Sequence, residues 1–279
     1  MTRINSRAAA AITADPPRQL LASGFHNALE HKAVISQRAL HMFASSSRSR
    51  LTDRDLGRFA NGTLFHRVAR AVCHAGCLPR KELFEAWEVA RRVRRLFRGG
   101  RVLDLGGGHG LLAQMMLLLD DSSPNALVVD PALPASSGRV HEALVRVWPR
   151  LSGRIGFVRS SLADIEVLQT DVVVSCHACG ALTDRVLERA AAARMRVAVL
   201  PCCHDLAIGD TGSLTGWVDG ALAIDIVRAT RLAQQNYRVW TQSIPADITP
   251  KNRLLVGEPA ASSPLRGLRS VRSDRKVAL

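Results

Sequence analysis

Three scarcities narrow the reading of this 279-residue chain. Aromatic residues make up 4% of it, with a single tyrosine, so contact with nucleic acid cannot depend on a run of stacking rings. No stretch of roughly 18 apolar residues occurs, which excludes an apolar membrane-spanning helix. Lysine is nearly missing: Lys32, Lys81, Lys251 and Lys276 are the only lysines among 38 basic residues. The arginine excess reflects either a base-composition bias of the gene or selection for phosphate binding. The segment Ala8 to Ile12 is too short for a secretory signal, so a cytoplasmic protein with reduced thiols is expected. There are no internal repeats, and the sequence specifies no oligomeric state.

What is present is a chain able to build a large core, with 47% hydrophobic residues and a formal net charge of +14. The charge is unevenly placed. Residues 1–100 carry 18 basic and 7 acidic side chains, residues 101–258 carry 15 and 16, and residues 259–279 carry 5 and 1. The centre is therefore neutral, and the positive flanks point to a polyanionic partner, RNA first.

The pattern divides the chain into a disordered leader at 1–20, a basic helical segment at 21–98, an α/β domain at 99–258 and a disordered basic tail at 259–279. Helical spacing runs from about Leu20 to Phe43, from Leu51 to Cys77 and from Arg80 to Phe97. Arg91, Arg92, Arg94, Arg95 and Arg98 crowd the end of the last helix, where cations suit the helix dipole. From Arg101 short apolar runs alternate with helices, as in a parallel sheet. Strands are expected at Arg101–Leu105, Ala126–Asp130, Arg154–Val158, Asp171–Cys176 and Arg194–Leu200. Helices fall at Leu111–Leu119, Val140–Trp148 and Leu182–Ala193. A longer helix at Trp217–Gln234 precedes two closing strands, Tyr237–Ser243 and Asn252–Gly257. Five β/α units and a terminal strand pair match a Rossmann-like, seven-stranded sheet of the class I methyltransferase type, with an N-terminal helical extension, and that is the expected fold.

Val102 to Gly110 reads VLDLGGGHG, a strand running into a glycine-rich turn. Gly106, Gly108 and Gly110 let the chain turn sharply and a ligand approach the backbone. A dinucleotide fingerprint would need a further glycine where Leu111 stands, which favours S-adenosylmethionine over a nicotinamide dinucleotide. Asp104 precedes the turn. Asp130, at the tip of the second strand, can accept the hydroxyls of a ribose. Ser160 and Ser161 follow the third strand, so Ser161 completes the expected cofactor set with Cys176 and His177.

The fourth strand runs into Ser175-Cys176-His177-Ala178-Cys179-Gly180 and the fifth into Pro201-Cys202-Cys203-His204. Neighbouring strands would bring both clusters to the carboxyl edge of the sheet, where open α/β sheets bind ligands. His177 or His204 could serve as a general base. The cysteines could bind a metal, although adjacent Cys202 and Cys203 are poorly suited to share one ion; no metal is expected. Cys203 could attack a pyrimidine ring covalently. The plainer alternative is that the thiols are small buried fillers. Cys73, His74 and Cys77 are read as helix-packing residues.

At HACGALTD (His177 to Asp184) and PCCH (Pro201 to His204) the chain resembles a methyltransferase-domain group. That group includes the tRNA acceptor-stem ribose 2′-O-methyltransferases and the glutathione S-transferase C-terminal domain-containing protein. The resemblance covers about residues 80–258, and Thr249-Pro250-Lys251-Asn252-Arg253 belongs to it. It implies S-adenosylmethionine binding at Asp104, Gly106, Gly108, Gly110 and Asp130, with His177 to Gly180 lining the site. The zinc-finger modules of the tRNA enzymes have no counterpart in the spacing here. Methyl transfer to an O or N nucleophile is the expected activity. The acceptor is RNA or, alternatively, a small molecule or protein; a non-catalytic scaffold with the same fold is the third reading.

Overall fold

The computed structural model describes residues 43–261, nearly all within one compact unit that begins at Ser45. The expected leader, the helix at Leu20–Phe43 and the tail beyond residue 261 lie outside the described residues.

The segment from Leu51 to Cys77 is not one helix. A 3-10 turn at Asp53–Phe59 is followed by a break and then by α1, Leu64–Ala75. The break is local chemistry. Asn61 accepts from the backbone and hydroxyl of Thr63, and Thr63 caps α1 by accepting from the His66 amide, the usual way an orphan N-terminal donor is satisfied. Gly76 ends α1 at φ +63°, where a residue without Cβ is least strained. Helix α2, Arg80–Leu96, follows Pro79 and buries Leu83, Ala90 and Val93.

Four of the arginines near the end of α2, Arg91, Arg92, Arg94 and Arg98, are engaged within the fold. Arg91 and Arg92 both pair with Glu88. Arg94 is 2% exposed, donates to the Met116 carbonyl at 3.0 Å and to Ser123 at 2.7 Å, and faces Asp120 at 3.2 Å. The dipole is thus a minor part of their role. Arg94 anchors α2 to the helix that follows the glycine turn, whereas Arg91 and Arg92 brace α2 itself.

The sheet has seven strands in the order β3-β2-β1-β4-β5-β7-β6. These are β1 Val102–Leu105, β2 Ala126–Val129, β3 Ile155–Val158, β4 Val172–Ser175, β5 Arg196–Val199, β6 Tyr237–Ser243 and β7 Arg253–Pro259. The first five pair in parallel, whereas β7 runs antiparallel between β5 and β6. Strands β1 and β4 are buried throughout, which explains their unbroken apolar texture. The connecting helices are α3 Leu111–Leu119, α4 Ser137–Val147, α5 Ala181–Ala192 and α6 Gly220–Gln234. Helix α6 starts three residues later than the periodicity suggests, because Asp219 caps it by accepting from the Leu222 amide. Trp217 therefore stands outside the helix and is 87% exposed. No helix among the described residues is long and apolar enough to cross a membrane.

Candidate active site at the carboxyl edge

The turn after β1 holds three residues in left-handed backbone, Gly106, Gly108 and Gly110, at φ +67°, +51° and +69°. Their surroundings differ. A Cβ on Gly110 would lie 2.7 Å from Val128 and 2.8 Å from Phe157, whereas one on Gly108 would meet nothing within 4 Å. Gly110 is thus required by packing and Gly108 faces open space. Gly107, which the motif spacing passes over, is as tightly held: its Cβ would sit 2.7 Å from Val128 and 2.8 Å from the Asp104 carboxyl.

Asp104 is buried beneath the turn and accepts from the Ala113 amide at 3.1 Å. Burial, reinforced by the charge of Asp130, pushes its carboxyl up to about 7. Asp130 bridges the turn and its own loop, accepting from the Gly108 amide at 3.0 Å and the Ala132 amide at 2.8 Å. Each oxygen keeps acceptor capacity for a further donor.

Two cavities meet here. One, of about 330 Å³, is lined by Asp104, Gly106 to Gly108, Asp130, Cys176 and His177. The other, of about 520 Å³, is lined by Val129, Pro131, Ser160, Ser161 and Leu162. Both include Gly106, Pro131 and Leu182. Ser161 is exposed and partly committed: it accepts from the Ala163 amide and donates to Asp164 at 2.7 Å. These residues fit a nucleoside with an amino-acid tail, given a backbone cradle open at Gly108, a carboxylate at the tip of β2 and apolar walls beyond it.

The two thiol–histidine clusters meet at the carboxyl edge, as their neighbouring strands require, but their side chains divide between different places. Cys176 and His177 line the cavity at the glycine turn. Cys176 is buried, which holds its thiol well above the usual range, while His177 is exposed. Cys179, Cys202 and Cys203 instead converge on one another, with no disulfide among the six cysteines. A bond from the Gly180 amide to the Cys203 carbonyl at 3.1 Å joins the two loops. Burial raises the Cys202 thiol, whereas the hydrogen bond with Cys179 leads the causes that lower Cys203. In the N-terminal part Cys73 and Cys77 are buried, and His74 pairs with Asp53 at 2.7 Å.

His204 turns away from the cavity. Its Nε2 donates to Asp225 at 2.8 Å, and its Nδ1 is buried without a hydrogen-bond partner. Asp225 also accepts from Arg253 at 2.7 Å and from Arg228 at 3.3 Å. Burial opposes the Asp225 charge, but the bonds from His204 and Arg253 outweigh it and hold the carboxyl below the usual range. Arg228, itself buried, forks onto both oxygens of Asp184 at 2.8 Å and reaches the Gly180 carbonyl. In the HACGALTD segment, Thr183 donates to the Ala178 carbonyl and Ser175 accepts from the Ala178 amide. Much of the motif therefore shapes the loop. Asp225, Arg228 and Arg253 went unread in the sequence; Arg253 had a signal in the TPKNR stretch, and the other two had none.

Residues 87–207 match the family model described as a methyltransferase domain. The matched stretch spans the glycine turn and the first five strands, and the seven-stranded sheet has the class I methyltransferase fold. The chain is similar in fold to an O-methyltransferase family protein from Burkholderia thailandensis, with 18% identity over 84% of this chain and 71% of that one and a TM-score of 0.45. It is similar also to ribosomal protein L11 methylase from Lactobacillus delbrueckii subsp. bulgaricus, with 16% identity, 63% and 77% coverage and a TM-score of 0.42. A third is the M1A22 tRNA methyltransferase TrmK of B. subtilis, with 15% identity, 62% and 66% coverage and a TM-score of 0.42. Comparison with curated proteins returns no match.

Proposed function

We propose that the chain transfers a methyl group to an O or N nucleophile presented at the rim of the glycine-turn cavity. The observation that carries this reading is the meeting of the two cavities at Gly106, with Asp130 beside the turn and His177 on the rim. Asp104, Gly106, Gly108, Gly110, Asp130, Ser161 and Cys176 would hold the cofactor, which when bound supplies an electrophilic methyl on a sulfonium. Positioning and exclusion of water would supply most of the rate.

His177 is the better-placed base. A base must reach the proton it removes before its basicity matters, and His177 is exposed on the cavity wall. His204, committed to Asp225, acts as a clamp on the loop after β5. Cys203 serves neither role in this reading.

RNA is the acceptor we favour, on the basic flanks and on the likeness of HACGALTD and PCCH to the tRNA ribose methyltransferases. A small-molecule acceptor is favoured by a different observation: the loop after β5 exposes Leu206, Ile208 and Trp217, an apolar rather than cationic surface beside a neutral core. Labelled-methyl transfer into fractionated cell extract separates the two. Label in RNA, weakened by added salt as phosphate contacts require, supports RNA; label confined to metabolites supports the second reading. Flat calorimetric titrations with both S-adenosylmethionine and its demethylated product would remove the whole proposal.

A further inference from the structure

The sulfur atoms of Cys179, Cys202 and Cys203 all lie within 4.8 Å of one another. They come from two loops, after β4 and after β5, that are already tied by the Gly180–Cys203 backbone bond. Adjacent cysteines in extended chain point to opposite sides, and so Cys202 and Cys203 looked unsuited to one ion. The irregular backbone at residues 201–205 turns both toward Cys179.

The spacing fits a tetrahedral ion. Metal–sulfur bonds of about 2.3 Å place neighbouring sulfurs roughly 3.8 Å apart. Cys202 and Cys203 are at 3.8 Å already. Cys179 and Cys202 are at 2.9 Å and would need to part by less than about 1 Å, a side-chain adjustment. Cys179 and Cys203 are exposed, which gives an ion a way in and leaves a fourth position toward solvent. Cys73, Cys77 and Cys176 are buried and belong to no such group.

We propose that Cys179, Cys202 and Cys203 form a three-thiolate site for a borderline-soft divalent cation of the zinc class. The fourth ligand would be water or a small donor from solution. Binding replaces each remaining thiol proton, which is released to solvent, and fastens the two loops that border the cavity. The site stands whatever the methyl acceptor proves to be.

The test uses the tag-free full chain, reduced and stripped with chelator. Zinc should be retained at one equivalent per chain through gel filtration, and cobalt in its place should give a thiolate-to-metal charge-transfer band in the near ultraviolet. Cys179→Ser and Cys203→Ser should each lose the band, while Cys77→Ala keeps it. In the unmodified chain, zinc should slow alkylation of Cys179 and Cys203, a readout that needs no variant to fold. The proposal is overturned by a reduced chain that retains no zinc, by a band that survives both serine variants, by alkylation that zinc does not slow, or by a Cys179–Cys202 disulfide that forms in air while zinc is present.

Discussion

His204 Nε2 meets Asp225 Oδ1 at 2.8 Å, so the loop after β5 is fastened to α6 by an imidazole whose other nitrogen is buried. Such a histidine holds a loop rather than serving the cavity. His204→Ala is expected to cost about 1–3 kcal/mol of stability through the lost bond to a charged group, since Asp225 keeps its bonds from Arg253 and Arg228, with little change in kcat. His177→Ala should instead lower kcat by about a hundredfold or more and leave the denaturation midpoint in place. Urea titration and turnover at saturating cofactor read the two effects. A hundredfold loss of kcat in His204→Ala at unchanged stability would reverse the assignment.

The glycine turn offers a paired test. Gly110→Ala forces a Cβ against Val128 and Phe157 at positive φ and should cost about 2–5 kcal/mol. Gly108→Ala meets no atom and should cost only about 1–2 kcal/mol from its left-handed backbone. Its larger effect should fall on cofactor affinity, measured by calorimetry, because the added methyl enters the open cradle. Equal affinity in Gly108→Ala and the unmodified chain would place the cofactor elsewhere.

Buried Arg228 neutralises Asp184 and faces Asp225. Arg228→Met takes the partner from Asp184, whose carboxylate is 34% exposed, and one of three donors from Asp225, and should cost about 1–3 kcal/mol. Adding Asp184→Asn to that variant should recover part of the loss, since the uncompensated charge is then gone. Chemical denaturation of both variants tests this; a double variant no more stable than the single one counts against it.

Asp104 sets a pH dependence of known sign. Its carboxyl is raised from 3.8 to about 7 in the folded chain, so the folded state binds the proton more tightly than the unfolded one. Stability from this group is greatest below the unfolded value, falls as pH rises toward 7 and levels off above it. The span is at most about 4 kcal/mol. Asp104→Asn should flatten that decline between about pH 4 and 7, as read from urea midpoints across the range. Parallel slopes in the two proteins would show that Asp104 is not the group responsible.

The sheet was legible in the sequence for a plain reason. Strands such as Val102–Leu105 and Val172–Ser175 are covered on both faces, and only unbroken apolar runs survive there. The glycine turn and Asp130 were legible because they occupy fixed offsets from strand ends. The network around Asp225 was not, since His204, Arg228 and Arg253 reach it from a loop, a helix and the last strand. The convergence of Cys202 and Cys203 depends on backbone dihedrals that residue spacing does not encode. Gly107 escaped notice because its need for glycine comes from Val128 and Asp104, not from a turn conformation.

Strand β7 lies between β5 and β6, so the ribosome delivers β6 before the strand it must pair with. Until Arg253–Pro259 has emerged, β5 has an open edge, β6 has no neighbour and Asp225 lacks the Arg253 guanidinium. A sheet whose seventh strand fills an inner position cannot close before that strand has emerged. Completion of the sheet and assembly of the Asp225 network are therefore one late event in the life of the nascent chain, and a chain cut short before β7 has both an exposed strand edge and an unfinished site.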